Sequence, residues 1–292
     1  MQMPQDVVLD DALIESCTSS SKASFSNLAL QSIDTKTRWE AVTDLSFLSC
    51  LIGDATFIPI IFPSVTMLKF LDCQIDEEQL HGLSRYKLMV LNLSGCKLSK
   101  IPFSLLKPGL KALILSDNNI TEIPPLLESI PKGSRSIKTT YNLNTFIMSK
   151  NPLTSESIKE TFSEFPMLRK VNFSECRLTT CPQILSASIR EVRLSHNQIS
   201  CISDSWTCLP KLRQLELGHN QIMMIRDLSA LTRTQWLHHL GLAGNPCMER
   251  EEVVSYLKKA LTAVNPNMRV NQIIVSSLTT QTPIQDTKIP SE

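Results

Sequence analysis

The chain has 292 residues, 42% hydrophobic but only 5% aromatic, enough to bury one large core or two modest ones. Its 29 Lys and Arg against 28 Asp and Glu leave a net charge of +1 with no basic run at either end, which argues against nucleic acid or a membrane surface as partner. No apolar stretch approaches the ~18 residues that a membrane-spanning helix needs.

The first segment, "QDVVLDDALIESC", places Val8, Leu9, Ala12, Leu13 and Ile14 on one side of a short amphipathic helix. It lacks the basic-then-apolar plan of a secretory leader, so the protein is expected to be intracellular. The Ser-rich "CTSSSKASFS" reads as a loop, and "FSNLALQSI" with Leu28 and Leu30 reads as a degenerate edge strand. Residues 1–40 are therefore expected to cap whatever follows.

From residue 41 to 247 one pattern recurs, L-x-x-L-x-L-x-x-N/C-x-L. It begins with Val42, Leu45, Phe47, Cys50, Ile52 and with Val65, Leu68, Phe70, Cys73, Ile75. "LMVLNLSGCKL" and "LKALILSDNNI" follow, then "LNTFIMSKNPL" and "LRKVNFSECRL". "IREVRLSHNQI", "LRQLELGHNQI" and "LHHLGLAGNPC" complete the series. Most successive Asn or Cys slots lie 21 to 25 residues apart, and one step is 33.

Each slot has a physical task. The x-L-x-L-x stretch is a short strand whose two apolar side chains share a buried face. One repeat alone has nothing to bury that face against, so strands of successive repeats must stack in parallel. The Asn turns the chain out of the strand and bonds neighbouring backbone. Cys50, Cys73, Cys96 and Cys176 substitute there as small buried side chains with a weak S–H donor. Pro102, Pro124 and Pro182 fall after the slot, on a side where a missing N–H costs little.

The long step contains "LESIPKGSRSIKTTYN", an insertion at about 125–142 made basic by Lys132, Arg135 and Lys138. Two readings stay open, a solvated convex loop or a loop used in binding. Beyond 247, Glu249–Leu261 has helical spacing at Val253, Tyr256, Leu257 and Ala260, and "MRVNQIIV" supplies a last apolar strand. These form a C-terminal cap over 248–275, and the polar stretch 276–292 is expected to be disordered. The nine cysteines form no CxxC pair and no zinc spacing, so reduced thiols and no bound metal are expected.

The expected fold is an α/β solenoid, a leucine-rich repeat horseshoe of about nine repeats with a parallel concave β-sheet and a cap at each end. With its "NPC…VVSYLKKALTAVNPNMRV" ending, the chain resembles an intracellular branch of these proteins. That branch includes the protein-phosphatase-1 regulatory leucine-rich subunit, the U2 A-prime protein and ciliary leucine-rich repeat proteins. Asn245, Pro246, Tyr256, Pro266, Met268 and Val270 fit its cap, while the Tyr-Arg pair is missing and Asn271 replaces the usual Asp. The resemblance implies a binding scaffold, cytoplasmic with nucleus or cilium open, and leaves phosphatase regulation, a nuclear complex and ciliary assembly as alternatives.

Residues flanking the two strand leucines point to solvent on the concave face. Across the repeats this places Met67, Lys69, Val90, Asn92, Ala112, Ile114 and Thr145 there, followed by Ile147, Lys170, Asn172, Glu191, Arg193, Gln214 and Glu216. Val90, Ala112, Ile114 and Ile147 make an apolar patch bordered by charge, as protein-binding surfaces do, unless the insertion or tail covers it in cis. No phosphate loop, HExxH or GxSxG is present, so no catalytic, cofactor or metal residue is assigned. His196 and His219 share one slot of adjacent repeats and are expected to stack as surface decoration. The isolated chain is expected to be a monomer that binds protein partners.

Overall fold

A computed structural model describes residues 5–126, 141–202, 206, 209–224, 228, 231, 236–265, 267–271 and 273–274. The chain opens with β1 (Gln5–Asp10), α1 (Asp11–Ser16), β2 (Thr18–Ser19), β3 (Lys22–Ser26) and β4 (Leu28–Asp34). Next come β5 (Asp44–Leu48), β6 (Leu51–Ile52), α2 (Ile58–Ile61), β7 (Met67–Leu71) and β8 (Gln74–Ile75). Seven short strands follow, one per repeat: β9 (Val90–Asn92), β10 (Ala112–Ile114), β11 (Thr145–Ile147) and β12 (Lys170–Asn172), then β13 (Glu191–Arg193), β14 (Gln214–Glu216) and β15 (His239–Gly241). The chain closes on α3 (Glu251–Val264), β16 (Arg269–Val270) and β17 (Ile273–Ile274).

Among the described residues, 13 strands form one sheet, and the nine from β5 to β15 that carry the repeat pattern pair in parallel and in sequence order. Strands sit about 4.8 Å apart. Helical turns such as α2 and the 3-10 turn over Gln79–Arg85 follow the strands, and helices pack wider than strands, as in a horseshoe whose sheet is concave. The first and second strand leucines are buried in every repeat, from Leu45 and Phe47 to Leu240 and Leu242. Phe25, Phe47 and Phe70 stack along this core with centroids 5.3 and 5.2 Å apart, an aromatic spine under the first strands.

The turn out of each strand is held by side chains. Asn220 donates to the carbonyls of Leu194 (2.9 Å) and Leu217 (3.0 Å) and accepts from the N–H of Ile199 (3.0 Å). Asn118, Asn151, Asn197 and Asn245 repeat this arrangement one rung along, satisfying backbone groups that burial cuts off from water. The cysteines do half of it. Cys73 and Cys96 point S–H at the carbonyls of Phe47 and Phe70, at 3.3 and 3.4 Å. Burial pushes the Cys96 and Cys176 thiols up to about 11, so they stay protonated donors. The residue just before each slot is left-handed, from Asn27 through Lys150 and His196 to His219, with Gly95 and Gly244 filling the same place.

Three expectations are corrected at the ends. Residues 5–10 form a strand, not the start of a helix, because they pair in parallel with β4, which leaves Leu9 buried and Val8 exposed. Asp10 then caps a six-residue helix, its carboxylate accepting from Leu13 N–H at 2.8 Å, and Ala12 faces solvent. The Ser-rich segment is a β2–β3 hairpin, and β3 adds a rung to the main sheet, with Ala23 opposite Leu45 and Phe25 opposite Phe47. Leu28 and Leu30 do lie in a strand, but β4 belongs to a second sheet of order β1-β4-β6-β8 on the far side of the turn.

At the other end α3 starts at Glu251 and buries Val253, Leu257 and Leu261, a stripe at i, i+4 and i+8, with Tyr256 and Ala260 only half-buried. β16 extends the sheet in parallel beside β15, and β17 folds back antiparallel to close it. The insertion leaves the ladder intact: Ala112 pairs with Thr145, and Asn151 reaches the Leu115 carbonyl at 2.8 Å. Glu160 ties down Leu126, accepting its N–H and that of Phe162 at 2.5 Å each. Lys132, Arg135, Lys138 and the tail beyond 276 lie outside the described residues.

Candidate functional site

The solvent side of the sheet is a lattice of two columns. The first runs Asp44, Met67, Val90, Ala112, Thr145, Lys170, Glu191, Gln214, His239, each directly opposite the next. The middle column runs Ser46, Lys69, Asn92, Ile114, Ile147, Asn172, Arg193, Glu216, Gly241 in the same register. From Met67 to Glu216 every member of both columns is half-buried, shielded by its neighbours along the row yet open above. All fourteen residues singled out from the sequence therefore share one face.

Charge on this face is largely self-neutralised. Lys69 reaches back to Asp44 with Nζ 2.9 and 3.1 Å from its two oxygens. Glu191 takes Lys170 Nζ at 2.9 Å and Arg193 Nε at 2.6 Å. Partial burial of the Glu191 carboxyl works to raise its pKa, but the Lys170 hydrogen bond and the charges of Arg193 and Lys170 outweigh it, leaving the group below the usual carboxylate range. Gln214 donates to Glu216 at 3.1 Å.

Between these two paired clusters lie Val90 beside Ala112 and Ile114 beside Ile147, with no charged residue among them. Past the second leucine, Ser94, Ser116, Ser149, Ser174 and Ser195 form a further column, and the Ser116 and Ser149 hydroxyls meet at 2.9 Å. That column was legible as an S recurring two residues before the five consecutive Asn or Cys slots from Cys96 to Asn197, although composition alone gives it no role.

Toward the C-terminal end the face hollows. One depression of about 430 Å³ is lined by Asn172, Arg193, Ser195, Gln214 and Glu216, among others. A second of about 310 Å³ brings in His196, His219, His239, Gly241 and Arg269. A Cβ at Gly241 would meet the Glu216 carboxylate, which would have to swing aside. His196 and His219 stack with centroids 4.3 Å apart and 9° between planes, a geometry that turns ring faces, not nitrogen lone pairs, toward each other. Among the described residues no three His, Cys, Asp or Glu side chains converge as metal ligands.

The leucine-rich repeat family model matches residues 87–108 and 109–130. No curated protein matches the chain in sequence. Solved structures do match in fold. One is a chain of the octameric complex of Latrophilin 3, Unc5D and FLRT2, in which FLRT2 contributes leucine-rich repeats, at TM-score 0.61 and 18% identity over 88% of this chain and 81% of that one. A leucine-rich repeat protein of Leptospira interrogans gives 0.52 at 18% identity over 86% and 71%. An internalin of Listeria monocytogenes gives 0.50 at 16% identity over 86% of each chain. These neighbours are diverse and single out no intracellular branch. The chain is a leucine-rich repeat solenoid of about nine turns on a parallel sheet.

Proposed function

We propose that this protein is a non-catalytic binding scaffold that holds a protein partner on the concave face of its sheet. The observation that carries the reading is the uncharged apolar patch of Val90, Ala112, Ile114 and Ile147, set between two clusters whose charges are already paired. Such a patch loses no internal ion pair on being covered, and apolar burial there supplies affinity while the flanking charges set orientation. The FLRT2-containing structure is itself a protein complex, which supports the same use of the fold. An intracellular setting completes the proposal. It is supported by the likeness of the C-terminal cap, where Asn245, Pro246, Tyr256, Pro266, Met268 and Val270 fit the intracellular pattern.

Replacing Ile114 and Ile147 together by Asp tests this. The double variant keeps the wild-type melting curve and loses the partners captured from the native cell, while the distant Lys100→Asp keeps them. Recovery of the same partners by the Ile114→Asp/Ile147→Asp protein overturns the reading.

A further inference from the structure

The residue entering each strand forms a third row, at the N-terminal rim of the sheet. Its backbone is a continuous ladder. Arg169 N–H bonds the Asn144 carbonyl at 2.9 Å, Arg190 that of Arg169 at 2.8 Å, Arg213 that of Arg190 at 2.8 Å, and His238 that of Arg213 at 2.8 Å. Three consecutive rungs are therefore arginines, all exposed, and no acidic residue occupies a rung from Thr43 to His238. Among the described residues none of the three guanidinium groups is in an ion pair, unlike Lys170 and Arg193 one and three residues further along. Two residues before the rungs stand Met167, Lys211 and Trp236, and Met167 and Trp236 are 45% and 58% exposed. The opposite rim, where the chain leaves the strands, carries Asp117 and a Lys150–Glu175 pair. Near-zero net charge thus hides a cationic run along one rim of the sheet.

We propose that the rim of Arg169, Arg190 and Arg213, flanked by Met167 and Trp236, docks an amphipathic helix of a partner protein that bears an acidic stripe. The spacing selects a helix. Rungs recur at about 4.8 Å, so three span about 10 Å. Helix positions three or four apart lie about 5–6 Å from one another, and two turns rise about 10.8 Å, so acids one turn apart meet successive arginines. An extended strand presents alternate residues every ~6.7 Å and falls out of step by the third rung. The apolar flank disfavours duplex nucleic acid, whose phosphate backbone offers Met167 and Trp236 nothing to bury, and a single strand stacking on Trp236 is the rival that the test below separates. Arg, Met and Trp are also the side chains that interfaces enrich. Because these arginines have no ion-pair partner among the described residues, docking gains their charge without breaking a described pair.

The test uses the full chain and a stapled helical peptide with Glu at three positions one turn apart and Leu beside them, read by fluorescence anisotropy. Wild type binds it saturably. Arg169→Glu/Arg190→Glu/Arg213→Glu, exposed changes that leave the melt unaltered, weakens binding at least about 10-fold, and a peptide with Lys in place of Glu binds that variant in turn. Trp236→Ala weakens the Glu peptide about 5-fold. Ile114→Asp/Ile147→Asp leaves it unchanged, which separates this surface from the concave patch. The proposal is overturned by no binding to wild type, by equal binding of a scrambled peptide or a single-stranded oligonucleotide, or by indifference to the triple reversal.

Discussion

His196 and His219 lie face to face one rung apart, their rings 4.3 Å between centroids, because each occupies the left-handed position just before a ladder asparagine, at φ 58° and 56°. Gly244 holds the next such position at φ 72°, and a Cβ there would collide with the His219 ring. The stack continues onto bare backbone at that point. Gly244→Ala is therefore expected to cost about 1–2 kcal/mol, from the left-handed penalty together with displacement of His219. Chemical denaturation checks it, and in a His219→Ala background the cost should shrink; an unchanged cost in both would remove the ring from the explanation.

The ladder asparagines carry a larger load. Asn220→Ala leaves the Ile199 N–H buried without its partner and removes one of the two amide donors on the Leu194 carbonyl, which keeps Asn197, and should cost about 2 kcal/mol. Asn220→Cys should cost less, since four natural repeats already place a thiol in this slot and direct it at the preceding repeat's carbonyl. Equal losses for the two variants would show that the carbonyl bond contributes little.

Neighbouring residues on one strand should respond in opposite ways. Leu115 is fully buried while Ile114 lies half-buried on the open face. Leu115→Ala should destabilise by about 2–5 kcal/mol, and Ile114→Ala should stay within about 1 kcal/mol. Thermal melts that rank them the other way would displace the register of the whole sheet.

Acid stability has a named contributor. The Glu191 carboxyl is depressed in the folded chain, so its contribution is present above its ordinary value of 4.5 and lost as pH falls through the folded value. Glu191→Gln should be less stable than wild type near neutrality and should show a flatter decline between about pH 5 and pH 3. Parallel melting-temperature profiles for the two proteins would assign the acid limb elsewhere.

What was readable in advance follows from period. A strand that alternates buried and open side chains, repeated every 21 to 25 residues, leaves one register that buries all the leucines, so both open columns from Asp44 to Gly241 could be assigned before any coordinates. The 33-residue step did not disturb this, because a loop leaving the turn side adds chain without adding a rung.

The ends were another matter. "QDVVLD" suits a helix or a strand equally over so few residues, and only the exposed edge of β4 made it a strand. Ala23 and Phe25 looked like loop residues because small and serine side chains diluted the pattern, until pairing with Leu45 and Phe47 gave them a rung.

The same division holds for charge. Sequence alone determined which residues face solvent, because side-chain direction along a strand is local and has a period of two. Tertiary structure decided which charges cancel: Glu191 pairs with Lys170 and Arg193, while Arg169, Arg190 and Arg213 meet no carboxylate among the described residues. That outcome depends on distances between repeats, which no local pattern encodes.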